Sequence, residues 1–264
     1  MTLEVDRLTY SYRDRLVLDG ATVSIRPGEI LGILGPNGCG KTTMLKNLNR
    51  NLSPESGAIL LEGTDLEDIS KKEIARSIAT VPQANEIRFS FTIKEIVAMG
   101  RMPFQKSFQG ESSEDMQMID EALRDTNLWE IRDRPVNEVS GGERQRAIIA
   151  RALVQTPKYL LMDEPTNHLD INMQFEVLDL VRDLSRKNGI SVVMVSHNLP
   201  MAARYCDRIA LIKDHKVMCC GTPEEVLTKE NMRDVFFVDA DLGIDEMTGA
   251  YTVNLHGSTR SKKE

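Results

Sequence analysis

Apolar positions along the chain change their spacing twice, and the changes mark out its parts. Residues 3–8 and 21–25 alternate apolar with polar, the spacing of half-buried strands, and Arg26, Pro27 and Gly28 interrupt the chain before a third strand over 29–34. Residues 41–50 carry Met44, Leu45 and Leu48 at helical spacing, and a turn over 53–57 leads into a strand over 58–61. From about 85 to 134 no buried-strand run is found; Met116, Ile119 and Leu123 predict a helix there, with Ser112 as its cap. From Tyr159 the alternation returns as strand 159–163, helix 172–188 stopped by Gly189, strand 190–195, helix 199–205 and strand 208–212. Strands alternating with helices predict an α/β fold with a mainly parallel sheet and a ligand site at the strands' carboxyl ends. The expected division is a core of 1–84 and 156–255, an inserted helical subdomain of 85–155 and a polar, disordered tail of 256–264.

Composition removes several alternatives. The 264 residues are 41% hydrophobic and 28% charged, as in an ordinary folded chain large enough for a domain with an insert. Acidic residues number 40 against 33 basic ones, and the net charge of -7 gives a nucleic acid partner no help from the overall field. The strongest apolar runs, 30–34, 159–162 and 190–195, are strand length and far short of the ~20 residues that cross a bilayer. Glu4 and Asp6 lie near the start with no apolar segment, so no secretory signal is read and a cytosolic protein is expected. Cys39, Cys206, Cys219 and Cys220 show neither zinc-ligand spacing nor a C-x-x-C pair.

Two motifs carry chemistry. Gly35, Pro36, Asn37, Gly38, Cys39, Gly40, Lys41 and Thr42 match G-x-x-x-x-G-K-[ST], in which glycines let backbone N–H groups converge on phosphate oxygens. Lys41 adds positive charge, Thr42 offers a hydroxyl to Mg2+, and the helix that follows presents its positive end. Later, the apolar run 159–162 ends in Asp163 and Glu164. Alone, that hexamer is better read as a solvated acidic turn; beside a phosphate loop, Asp163 is assigned to the magnesium shell and Glu164 to the attacking water. Cys39 has two readings: a small apolar filler under the loop, or a thiolate favoured by Lys41 and the helix end that would make the loop sensitive to thiol reagents.

The segment Val139, Ser140, Gly141, Gly142, Glu143, Arg144, Gln145 resembles the LSGGQ-type signature of ATP-binding cassette proteins. Alone it reads as a plain helix cap. The family's other motifs follow in order: Tyr12 resembles the aromatic residue that stacks on adenine, Gln83 the Q-loop glutamine, 167–170 the D-loop, and His197 the switch histidine reaching the terminal phosphate. The resemblance implies a P-loop NTPase core, RecA-like with an N-terminal antiparallel β subdomain and an inserted α-helical subdomain. It implies a nucleotide site of Tyr12, residues 35–42, Thr43, Ser140, Gly141, Gly142 and Glu143, with Thr42, Gln83 and Asp163 toward Mg2+ and Glu164, His197 and Gln83 in hydrolysis. Two positions depart from the pattern: Val139 stands where leucine is usual and Glu143 where glutamine is frequent, which is expected to leave the Ser-Gly-Gly core untouched.

By the same resemblance, the chain pairs head to tail with a second copy, with two ATP molecules between Lys41 and Ser140 of opposite chains. Neither a long coiled coil nor a second cassette is present, which favours an importer's ATPase at the cytoplasmic face of the membrane over a soluble ABC ATPase. Residues 81–83, 91–93, 99–104 and 196–207 resemble importers of iron complexes, haem and cobalamin; molybdate or another metal ion is the alternative cargo. Expected partners are a membrane permease, reached through 84–109, and a separate substrate-binding protein in the same system. No nucleic acid and no direct cargo contact are expected.

Overall fold

The computed structural model describes residues 2–83, 90–105 and 112–259. In chain order β1 (Leu3–Tyr12) and β2 (Arg15–Ile25) form a hairpin, β3 (Ile30–Leu34) runs into the glycine loop, and α1 (Lys41–Leu48) follows. Next come β4 (Ser56–Leu61), β5 (Thr64–Asp65), α2 (Lys71–Ser77), β6 (Ile78–Val81), α3 (Ile93–Ala98), α4 (Ser113–Asp125) and α5 (Gly141–Leu153). Then follow β7 (Tyr159–Asp163), α6 (Ile171–Asn188), β8 (Ser191–Val195), α7 (Leu199–Tyr205) and β9 (Arg208–Lys213). The last elements are β10 (Lys216–Gly221), α8 (Pro223–Val226), α9 (Lys229–Asn231), β11 (Val238–Ile244) and β12 (Tyr251–Ser258). They gather into two compact units, Met1–Asp68 with Ser191–Glu264, and Ile69–Ile190. The helical insert expected over 85–155 lies within the second unit, which also takes in α2, β6, β7 and α6.

In the first unit, antiparallel strands run in the order β2-β1-β4-β5, and a further set runs β10-β9-β3-β8. β3 is parallel to both β8 and β9. Every position of β3 and β8 is buried, the mark of parallel strands covered on both faces and the reason their apolar runs are continuous. Ile33 lies opposite Val195, so the loop from Gly35 and the turn at His197 leave the same edge of the sheet. The tail expected over 256–264 is corrected in part, because 256–258 belong to β12 and Ser258 pairs with Val238. That strand is polar but ordered: the β11 ladder satisfies its backbone, buried Ala240 and Val253 seat the hairpin, and His256 Nε2 meets Asp241 at 2.8 Å.

In the second unit β6 and β7 pair in parallel, with Val81 opposite Met162. Ile93, Val97, Ile119, Leu123, Leu128 and Ala147 form the centre of the helical core, each excluded from solvent. Burying one such leucine or isoleucine stabilises the fold by about 1.5–3 kcal/mol. Ser112 caps α4 as expected, accepting from Asp115 N–H. Met116 is exposed, however. At about 3.6 residues per turn, Asp115, Ile119, Ala122 and Leu123 share one buried arc and Met116 falls at its rim.

A buried ion pair ties this core together. Arg101 Nε donates to Asp115 Oδ1 at 2.6 Å, and Arg101 also donates to Val154 O at 2.9 Å, joining the turn after α3 to the start of α4 and the end of α5. Both side chains are nearly excluded from water. The Arg101 guanidinium, with help from Ser112, holds the Asp115 carboxyl below its usual range. Removing one partner of such a pair leaves a buried charge uncompensated and costs about 3–5 kcal/mol. Asp115→Asn is expected to lose stability of that order in urea unfolding at pH 7. Because the folded carboxyl is the more acidic one, its contribution is present above the unfolded value of about 3.9 and fades as pH falls through the folded value. The loss caused by Asp115→Asn should therefore shrink in acid, a trend that melting curves of both proteins taken from pH 7 to pH 3 would reveal.

Candidate active site

The first unit carries the phosphate loop. Gly35 leaves β3 at φ 153° and Gly40 enters α1 at φ 108°, backbone that side-chain-bearing residues rarely adopt. A Cβ on Gly40 would lie 2.7 Å from Val17 O and from Leu18 of β2, and one on Gly35 would run into Ile212 O. Lys41 is buried, and its Nζ donates to Gly35 O at 2.9 Å and Pro36 O at 2.8 Å, so the ammonium draws the loop around itself. Thr42 is half-buried and Thr43 is buried in the first turn of α1, whose backbone N–H groups face back toward the loop. His197 is exposed in the turn after β8; Ser196 Oγ accepts from Asn198 N–H at 3.0 Å and Asn198 caps α7, fixing the turn on both sides. Tyr12 ends β1 and stays exposed, its ring edge-on to Tyr10 at 5.0 Å.

Cys39 settles between its two readings. It is 5% exposed, and its sulfur is 4.0 Å from Lys41 Nζ. Burial pushes the thiol up and outweighs the lowering by Lys41 and by backbone hydrogen bonds. Of the two readings, burial and the raised thiol favour the filler, packed against Gly35.

The second unit carries the carboxylates. Parallel pairing of β6 with β7 brings Gln83, two residues beyond β6, and Glu164, one beyond β7, out at the same end. Gln83 Nε2 donates to Glu164 Oε2 at 2.7 Å, and Asn167 Nδ2 donates to the same oxygen. Glu164 is held at φ 50°, a left-handed conformation that costs a non-glycine residue of order 1–3 kcal/mol, a form of strain that clusters at active sites. Asp163, the last residue of β7, is buried. The grip of Asn167 on Glu164 was not read from sequence, where 167–170 stood only as a loop motif.

The signature segment lies in the same unit. Ser140 caps α5: its Oγ accepts from Glu143 N–H at 3.2 Å, while its own N–H donates to Glu143 Oε2 at 2.8 Å. Gly141 is exposed and Gly142 is packed on Met173, where an added Cβ would lie 3.0 Å from the sulfur. The carboxylate of Glu143 thus occupies the Ser140 N–H, a bond that a glutamine at this position would make as well. Of the segment 84–109, residues 84–89 and 106–109 lie outside the described residues.

Residues 18–167, more than half of the chain, match the ABC transporter family. The chain belongs to that family. It is 40% identical over 96% of its length to a cobalamin import ATP-binding protein of Halobacterium salinarum, and it spans 63% of that relative's length. It is 39% identical over 98% of its length to a petrobactin import ATP-binding protein of Bacillus anthracis, of which 94% is covered. A solved structure described as an inward-facing metal-chelate type ABC transporter superposes with a TM-score of 0.84 at 28% identity, covering 97% of this chain and 96% of that one. Among the described residues no helix is long and apolar enough to cross a membrane.

With Cys39 buried and Cys219 and Cys220 half-exposed, N-ethylmaleimide on the native protein should modify the latter pair first. Cys39 and Cys206 should stay unmodified until the chain unfolds, as peptide mass spectrometry would read. Early labelling of Cys39 would restore the reactive-thiol reading.

Proposed function

We propose that this chain is the ATP-binding and ATP-hydrolysing subunit of an importer for an iron complex or cobalamin. The observation that carries the catalytic part is Glu164, a strained carboxylate at the end of a buried strand, fixed by two side-chain amides. A base held in one orientation is what in-line attack by water on a phosphoryl group asks of the protein. Lys41 and the loop amides take the phosphates, Tyr12 the adenine face and His197 the terminal phosphate. Thr42 in the first unit, and Asp163 and Gln83 in the second, are the residues that would hold magnesium: each by itself offers a hard oxygen of the kind that ion takes, and Gln83 keeps its oxygen when its nitrogen donates to Glu164. Magnesium would supply charge neutralisation across the phosphates when bound.

The import role rests on the relatives, whose names concern cobalamin and petrobactin, and on the metal-chelate transporter neighbour. In this reading the chain forms a head-to-tail homodimer, with Ser140 and Gly141 of one copy facing the nucleotide on the other. It sits at the cytoplasmic face of the membrane on permease subunits, fed by a separate binding protein. ATP favours the closed dimer and thereby moves the permease, a shift of populations.

Glu164→Gln keeps shape and hydrogen bonding but removes the base. The variant is expected to bind MgATP and dimerise while hydrolysis falls about 100-fold or more. Lys41→Ala should lose nucleotide binding itself. Phosphate release and size-exclusion chromatography with MgATP check both, and near-normal turnover in Glu164→Gln would sink the assignment.

A further inference from the structure

Each end of the phosphate loop is seated on a backbone carbonyl of a neighbouring strand. A Cβ at Gly35 would run into Ile212 O of β9, and one at Gly40 would lie 2.7 Å from Val17 O of β2. Val17 is an irregularity in its strand: Tyr10 lies opposite Leu18 and Ser11 opposite Leu16, which makes Val17 the extra residue of a bulge, without a partner across the ladder. It is buried nonetheless, and a buried carbonyl needs a donor. The two-residue turn between β9 and β10 brings one. His215 Nδ1 stands 3.2 Å from Val17 O, and because a carbonyl only accepts, Nδ1 carries the proton. The same turn bonds β2 twice more, with His215 O accepting from Asp19 N–H at 2.9 Å and Lys216 Nζ meeting Asp19 Oδ2 at 3.0 Å.

This histidine sits where a side chain is unwelcome. Asp214 at φ 46° and His215 at φ 70° are both left-handed, between the paired Lys213 and Lys216, and such turns favour asparagine or aspartate followed by glycine. Asp214 conforms, while His215 carries a side chain where glycine would fit without strain. What the imidazole adds is the bond to Val17. We infer that His215 is a positioning residue for the phosphate loop. From the turn that continues the strand of Ile212 it holds the bulged carbonyl of Val17, and so fixes the two seats, at Gly35 and at Gly40, relative to each other. The inference rests on the reading of 35–42 as the nucleotide's phosphate site. Without the bond β2 can shift at Val17, Gly40 follows the carbonyl it packs against, and the N–H groups at the start of α1 no longer converge with those of the loop.

The test measures binding of MgADP, which is not hydrolysed, by isothermal titration calorimetry, with melting temperatures read in parallel. In His215→Gly the dissociation constant should rise about fivefold, the worth of one such hydrogen bond. Its melting temperature should stay close to that of the wild type, because glycine relieves the turn as the bond is lost. His215→Asn tolerates the left-handed backbone and places Nδ2 where the imidazole has Nδ1, so it should bind as the wild type does. His215→Gly binding as tightly as the wild type, or His215→Asn binding as weakly as His215→Gly, overturns the inference. Lys41→Ala is the control: if it binds MgADP as well as the wild type, the phosphate-loop reading falls first and takes this inference with it.

Discussion

Lys41 reaching back to the carbonyls of Gly35 and Pro36 is the interaction on which the loop's shape depends. A chain leaving a fully buried strand has to turn sharply before it can start a helix, and the backbone groups exposed in the turn need partners. Glycines at both ends supply the dihedral angles, and the neighbouring β2 and Ile212 leave no room for a side chain there. The ammonium supplies the partner for the outward carbonyls. With those carbonyls held, the loop keeps a shape in which its N–H groups and the start of α1 converge, and the ligand that suits converging N–H groups is an anion.

The same logic of strand ends shapes the second unit by different means. β7 is buried along its whole length, so Asp163 and Glu164 appear together where the strand runs out. Glycine is absent at that point, and the chain takes the left-handed turn with Glu164 itself. The strain is held by what surrounds it: Gln83 from the parallel neighbour, and Asn167 from the turn that follows, whose backbone N–H also reaches Glu164 O at 3.2 Å. A substitution that keeps the carboxylate but relaxes this turn would move it, so its place depends on backbone geometry as well as on the side chain.

How much of this was legible in the chain follows from the range of each interaction. Strands such as 159–163 and helices such as 199–205 are set by local periodicity and by Gly or Pro, and the structure places both at the expected bounds. The phosphate loop was legible because all its parts are contiguous. Cys39 was not decided by its neighbours in sequence: Lys41 argued for a thiolate, and the burial that outweighs it comes from the fold around the loop. The Arg101–Asp115 pair, the bond from Gln83 to Glu164 and the β12 strand each join positions separated in sequence, and no spacing rule announces them.

Ser140 shows where local reading stops for a different reason. Among the described residues the same box of hydrogen bonds closes the helices that begin after Ser70, Thr92, Ser112 and Thr222. In each, an acidic side chain three positions on takes the cap's N–H, as Glu143 does for Ser140. By hydrogen bonding alone the signature is one ordinary cap among several. What sets it apart is the pair of glycines behind the cap, one bare to solvent and one pressed against Met173, which strip side chains from the helix end and leave its polar groups open to a neighbour. Elsewhere the acidic partner likewise closes the helix terminus, and at Ser112 that partner, Asp115, is also held by Arg101. At Ser140 the bond is the same, and only the two glycines behind it distinguish this helix end from the one at Ser70.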